Sequence, residues 1–204
     1  NDINISEGVL GGTATFTVTR TGQTNLPASF TCTHAPSGAN PASSPGDYTI
    51  SACSGSIPAG FASATTMVTV SINNDLLDEF DETFEVTLAG AVDSTITGPC
   101  GACSTDGIGK ATIVDNDALP IVQINDPGAV PEGDAGVGSV NVPFLVTLSV
   151  PSARTVTVTA TAVDGTAKAG SPFDDYTQPA PTVLTFTPGN TTPDVPFSVS
   201  LNGD

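Results

Sequence analysis

The chain has 204 residues, with 21 acidic side chains against four basic ones (Arg20, Lys110, Arg154, Lys168) and a formal net charge of −17. That balance argues against a nucleic-acid ligand, whose phosphates need a basic face, and against anionic membrane surfaces. No apolar run approaches the ~20 residues that span a bilayer, so no membrane insertion is expected.

Aromatic residues are few, with nine Phe, two Tyr and no Trp, while Thr, Val, Ala, Ser, Gly and Pro dominate. β-Branched residues suit a pleated surface and Gly and Pro punctuate it, so the composition predicts an all-β protein long enough for one large or two ordinary domains. The chain opens Asn1-Asp2-Ile3-Asn4, without the basic start and apolar run of a secretory signal, and is expected to begin inside a larger or processed protein.

Taken in order, the strands announce themselves by alternation. Ala14, Phe16 and Val18 alternate with Thr13, Thr15, Thr17 and Thr19; Val68, Val70 and Ile72 repeat the pattern, as do Phe84, Val86 and Leu88. A strand over Ile108–Val114 closes the first half. Ile121–Ile124 opens the second, where Val156, Val158 and Ala160 alternate with Thr157, Thr159 and Thr161. About seven such strands at turn-punctuated intervals read as an Ig-like antiparallel β-sandwich.

The pattern occurs twice. Glu7-Gly8, Phe16, Asp47-Tyr48 and Asp75 in the first copy return as Glu132-Gly133, Phe144, Asp175-Tyr176 and Asp204, at offsets of 125, 128, 128 and 129 residues. The boundary falls after Asp115-Asn116-Asp117, giving modules over residues 1–117 and 118–204. The first is expected to be nearly complete, lacking the start of its opening strand. The second is expected to be truncated, lacking its last two strands. Three residues, Ala118-Leu119-Pro120, separate the acidic cluster from the next strand, which makes a tight junction.

Acidic residues gather where strands begin and end. The densest segment, Asn74-Asp75-Leu76-Leu77-Asp78-Glu79-Phe80-Asp81-Glu82, lies between two strands and is read as a loop. Glu7 follows the first strand, Asp47 precedes another, and Asp115 and Asp117 follow the last. If the topology brings these loops to one end, as many as eight carboxylates, Asp78 among them, would repel one another unless cations fill the site. Six to eight hard oxygen ligands in flexible geometry are what Ca²⁺ takes, whereas Mg²⁺ asks for tighter octahedra. The segment does not follow the twelve-residue EF-hand pattern.

The Phe-x-Val-x-Arg-x-Gly of Phe16–Gly22, the Asp-Tyr pair, the Asp75-x-x-x-Glu79-x-x-Glu82-x-Phe84 run and the closing Thr112-Ile113-Val114-Asp115-Asn116-Asp117 together resemble Calx-β domains. Asp164-Gly165-Thr166-Ala167-Lys168-Ala169-Gly170 in the second copy strengthens the likeness, which covers nearly the whole chain. The resemblance implies Ca²⁺ at one end of the sandwich. By position its ligands would be Glu7, Asp47, Asn74, Asp75, Glu79, Glu82, Asp115, Asn116 and Asp117, with the Leu77 carbonyl a further candidate. In the second module only Glu132, Asp174, Asp175 and Asp204 would remain, with Gly203 at the position of Asn74, so that any site there is incomplete.

Four cysteines permit three complete pairings, and in an acidic, lysine-poor chain they read as disulfides of an extracytoplasmic protein. Cys100-Gly101-Ala102-Cys103 reads as a loop-closing pair, since no second CxxC supplies a zinc site; Cys32 would then pair with Cys53. The single histidine, His34, reads as a surface residue, and no Gly-x-Ser-x-Gly or triad is present. Asp78 and Glu79 could mimic a glycosidase carboxylate pair, but the metal reading uses them better. No catalytic function is expected. The leading expectation is a secreted or cell-surface structural or adhesive module in which Ca²⁺ rigidifies the junction. Neighbouring modules are its expected partners, and further copies or cell-surface and matrix ligands are left open. A spacer in a large secreted enzyme and a regulatory calcium sensor are the alternatives.

Overall fold

The computed structural model describes residues 2–7, 12–22, 24–62, 67–93, 96, 107–134, 138–170 and 174–203. Among them the regular elements are all strands, and no helix is long and apolar enough to cross a membrane. The chain divides into two compact units: Asn1–Leu76 with Phe80–Asp117, and Leu77–Glu79 with Ala118–Asp204.

In the first unit, β1 (Ile3–Ser6), β3 (Ala28–Ser37), β5 (Ser54–Ile57), β7 (Glu82–Val92) and β8 (Ile108–Val114) form one sheet in the order β1-β8-β7-β3-β5. β2 (Thr13–Phe16), β4 (Tyr48–Ile50) and β6 (Val68–Ile72) form the other, in the order β2-β6-β4. The alternation seen in the sequence is the alternation of burial: Val68, Val70 and Ile72 point into the core while Thr69 and Ser71 face water. Phe84 sits at the centre, fully buried, stacked on Tyr48 at 3.9 Å between ring centroids and met edge-on by Phe16 at 6.2 Å.

One pairing departs from the antiparallel expectation. β1 runs parallel to β8, with Ile3 opposite Ala111 and Ser6 opposite Val114. β1 is followed in sequence by β2, which lies in the other sheet, so no hairpin ties its direction to a neighbour in its own sheet.

In the second unit, β10 (Val140–Phe144), β13 (Tyr176–Thr177) and β15 (Phe197–Leu201) form the sheet β10-β15-β13, repeating β2-β6-β4 of the first. β12 (Val156–Ala160) with β14 (Thr182–Phe186) repeats β3 with β5, and β9 (Val122–Ile124) pairs with β11 (Val146–Leu148). Leu184, Phe186, Tyr176, Phe197 and Val199 anchor a separate core. Asp78, grouped by contact with this unit, is buried: its carboxylate accepts hydrogen bonds from Ser152 Oγ at 2.7 Å and the Arg154 guanidinium at 3.2 Å. A buried carboxylate with a charged partner is engaged in structure.

Candidate metal centre

Strand direction decides which acidic residues meet. Because β1 is parallel to β8, both end at the same end of the sandwich, and the Glu7 amide donates to the Val114 carbonyl at 3.1 Å. Glu7 therefore lies beside the segment that opens with Asp115. β7 is antiparallel to β8 with Glu82 opposite Ile113, so the start of β7 arrives at this end too. In the other sheet Tyr48 is opposite Ile72, which places Asp47 beside the exit of β6.

Side-chain oxygens of Glu7, Asp115 and Asp117 all lie within 4.8 Å of one another. Opposite ligands of a Ca²⁺ ion held at 2.3–2.6 Å stand about 5 Å apart, so these spacings suit a hard cation and an all-oxygen donor set fits calcium chemistry. Glu7 is only 3% exposed, so its carboxylate faces inward. Asp115 Oδ1 accepts from the Asp117 amide at 3.3 Å, folding the last loop back on itself.

Asn74, exposed, donates its side-chain amide to the Asp75 carbonyl at 2.9 Å, and Asn116, also exposed, reaches Ser6 Oγ at 3.3 Å. Leu77 is half-buried. Two further residues belong to this end and escaped the sequence reading. Asp81 Oδ1 accepts from the Asp115 amide at 3.2 Å, and Asn73 donates to the loop that carries Asp47. Asp81 stood inside the acidic segment; nothing in its local spacing distinguished it from a solvated charge.

A profile of the Calx-beta domain family matches residues 2–117 and again residues 115–204. The chain belongs to the Calx-beta domain family. Among solved structures it is similar to CBD12 from CALX1.2, at 20% identity over 98% of this chain and 71% of that one, with a TM-score of 0.46. It is also similar to the calcium binding domain CBD12 of CALX1.1 (19% identity, 96% and 70% covered, TM-score 0.43) and to the apo-form Calx CBD1 domain (19%, 57% and 90%, 0.43). No curated protein matches the chain.

The second Calx-beta repeat arranges its acidic residues differently. Glu132 is exposed, and the carboxylate of Asp175 is engaged by the Lys168 amide at 2.7 Å. Neither joins a three-residue acidic group among the described residues, and Asp204 lies outside them. A Cβ on Gly203 would stand 2.8 Å from the Asp134 carbonyl oxygen, so this Calx-beta unit has no room for a side chain where the first carries Asn74.

The two Asp-Tyr tyrosines are both buried, and each hydroxyl is satisfied by a different partner. Tyr48 bonds His34 Nδ1 at 3.0 Å, which ties the exposed histidine to the core; burial, and then the nearby Asp47 charge, push its phenol up. Tyr176 donates to Asp164 Oδ1 at 2.8 Å, and that carboxylate, which also accepts from the Ala169 amide, is held below the usual range by these two bonds. The Asp164–Gly170 motif thus serves to anchor the second tyrosine.

Proposed function

We propose that the first Calx-beta unit, taken as residues 1–117, binds Ca²⁺ through Glu7, Asp47, Asp75, Glu79, Glu82, Asp115 and Asp117. Asn74, Asn116 and the Leu77 carbonyl are available as neutral oxygen donors. The observation that carries the reading is the convergence of the Glu7, Asp115 and Asp117 carboxylates within ligand spacing at the end of the sandwich where the other acidic loops begin and end. The second unit, residues 118–204, brings fewer candidates, Glu132, Asp175 and Asp204, and contributes a weaker site or none. We assign the chain a non-catalytic, structural or adhesive role in an extracellular tandem array. The Cys32–Cys53 disulfide supports an oxidising compartment.

Calcium also acts on the junction in this reading. Asp115 and Asp117 are ligands, and three residues later the second repeat begins. Without the ion, repulsion among the carboxylates loosens this end; with it, the backbone is held where the repeats join. Calorimetry on residues 1–204 is expected to show at least one site, in the range of roughly 10⁻⁴–10⁻³ M common to extracellular modules. Asp75→Ala with Glu82→Ala should remove most of the heat. No heat up to ~10 mM calcium would defeat the assignment. Small-angle scattering of the same samples tests the junction: identical maximum dimension with calcium and with chelator would show that binding does not stiffen it.

A further inference from the structure

We propose that Asn73, and Asn202 at the matching place in the second unit, are positioning residues that set the Asp-Tyr loop, and that Asn73 thereby aims the Asp47 carboxylate. The proposal rests on the calcium reading of the first unit and adds to it a residue that is not a ligand.

The observation is a hydrogen-bond pattern that the duplication repeats. Asn73 directly follows β6, and its backbone amide donates to the Asp47 carbonyl at 2.9 Å. Its side-chain amide donates to the Pro45 carbonyl at 2.6 Å and to the Gly46 carbonyl at 2.5 Å. In the second unit Asn202 directly follows β15, and its backbone amide donates to the Asp175 carbonyl at 3.0 Å. Its side-chain amide donates to the Asp174 carbonyl at 3.0 Å and to Asp174 Oδ1 at 3.2 Å. Gly46 and Asp174 both stand immediately before the aspartate of the pair, so the same donor reaches the same carbonyl in both copies.

The chemistry needs an asparagine. The carbonyls at 45 and 46 accept only, and a side chain that serves both must present two N–H groups from a short, branched stem. Aspartate has the shape but only acceptors, and serine is too short and has one donor. In the second unit Asp174 is in the left-handed region at φ 48°, and the bond from Asn202 closes over that turn. The loop conformation differs between the copies while the asparagine clamp persists, which separates the clamp from the details of the turn.

The consequence for binding follows from where the clamp sits. Asp47 is already held on one side, where its carboxylate accepts from the Ser43 amide. Asn73 fixes the two peptide units before it and the carbonyl of Asp47 itself. With both sides held, the carboxylate direction is set before an ion arrives. Groups that orient a metal ligand without touching the metal commonly change affinity 10–100-fold.

Calorimetric calcium titration of the full chain tests this with Asn73→Ala, Asp47→Ala and the double variant. Asn73→Ala is expected to weaken binding about tenfold or more. On top of Asp47→Ala it should do almost nothing, within about twofold, because the ligand it positions is already gone. Asn73→Ser, which keeps a polar residue and loses the reach, replaces it if circular dichroism shows the alanine variant unfolded, and is read by the same criteria. Unchanged affinity in either single variant overturns the clamp and leaves the calcium site standing. Equal weakening with and without Asp47 also overturns it, since a general loosening of the strand end would act in both backgrounds. Absence of calcium heat from the unsubstituted chain overturns both readings together.

Discussion

Tyr48→Ala is expected to remove about 3–5 kcal/mol from the stability of the first unit, the cost of emptying a buried aromatic site. Tyr48 is fully buried, its ring stacks on the equally buried Phe84, and the cavity would open against Val70 and Ile72 on strands that cannot close over it without losing register. For a domain whose total stability is about 5–15 kcal/mol this is a large fraction. The second unit has its own core around Leu184 and Phe186 and should keep its transition. Urea unfolding followed by circular dichroism should show one of two transitions moving to lower denaturant, while the fluorescence of Tyr176, the tyrosine that remains, reports an unmoved transition of the second unit. Tyr48→Phe separates the ring from the hydroxyl. It keeps the stack, loses the bond to His34, and should cost only about 1 kcal/mol, because the exposed histidine can turn to water. A loss of less than ~1 kcal/mol for the alanine variant would mean that the stack does not carry the core.

Removing the Cys32–Cys53 bond should cost about 3 kcal/mol in the same unit, from the loop-closure entropy of a cross-link spanning 21 residues. The bond continues the pairing of β3 with β5, in which Thr31 stands opposite Ser54, and the Cys32 amide already donates to the Cys53 carbonyl at 2.7 Å. The folded geometry is therefore held without the sulfurs, and most of the effect falls on the unfolded chain. Cys32→Ala with Cys53→Ala should fold to the same sheet and unfold at lower urea, and reductant should bring the parent chain to the same midpoint. Equal midpoints for parent and double variant in oxidising buffer would count against the cross-link. The other expected pair, Cys100 with Cys103, lies outside the described residues.

Much of the fold was legible in the sequence because sandwich strands advertise themselves locally. A period of two placed Thr13–Phe16, Val68–Ile72 and Val156–Ala160, and the residues expected to face inward, Ala14, Phe16 and Val18, are the buried ones. The two repeats were visible from ordered motifs at nearly constant offset. What stayed hidden depends on contacts between residues far apart in the chain. The parallel direction of β1 has no local signature. Asp78 sat among candidate ligands, yet its carboxylate is engaged by Ser152 and Arg154, more than seventy positions away. His34 was read as a surface residue, and is one by exposure, but its bond to a buried tyrosine across fourteen positions gives it a structural task. Asn73 and Asn202 could have been found: both follow the last apolar residue of a matching strand, at the same offset as Asp75 and Asp204.

The direction of β1 also fixes how the first unit responds to tension. The chain enters at the start of β1 and leaves at the end of β8, and these neighbouring strands point the same way. Pulling the two ends apart drags Ile3–Ser6 backwards along Ala111–Val114, so the load runs along the strands and the bonds between them are sheared together. An antiparallel first strand would instead have been peeled, one bond failing before the next was loaded. The first unit thus has its resistance at the seam where its entry and exit strands meet, and Glu7 with Asp115 stands at the end of that seam.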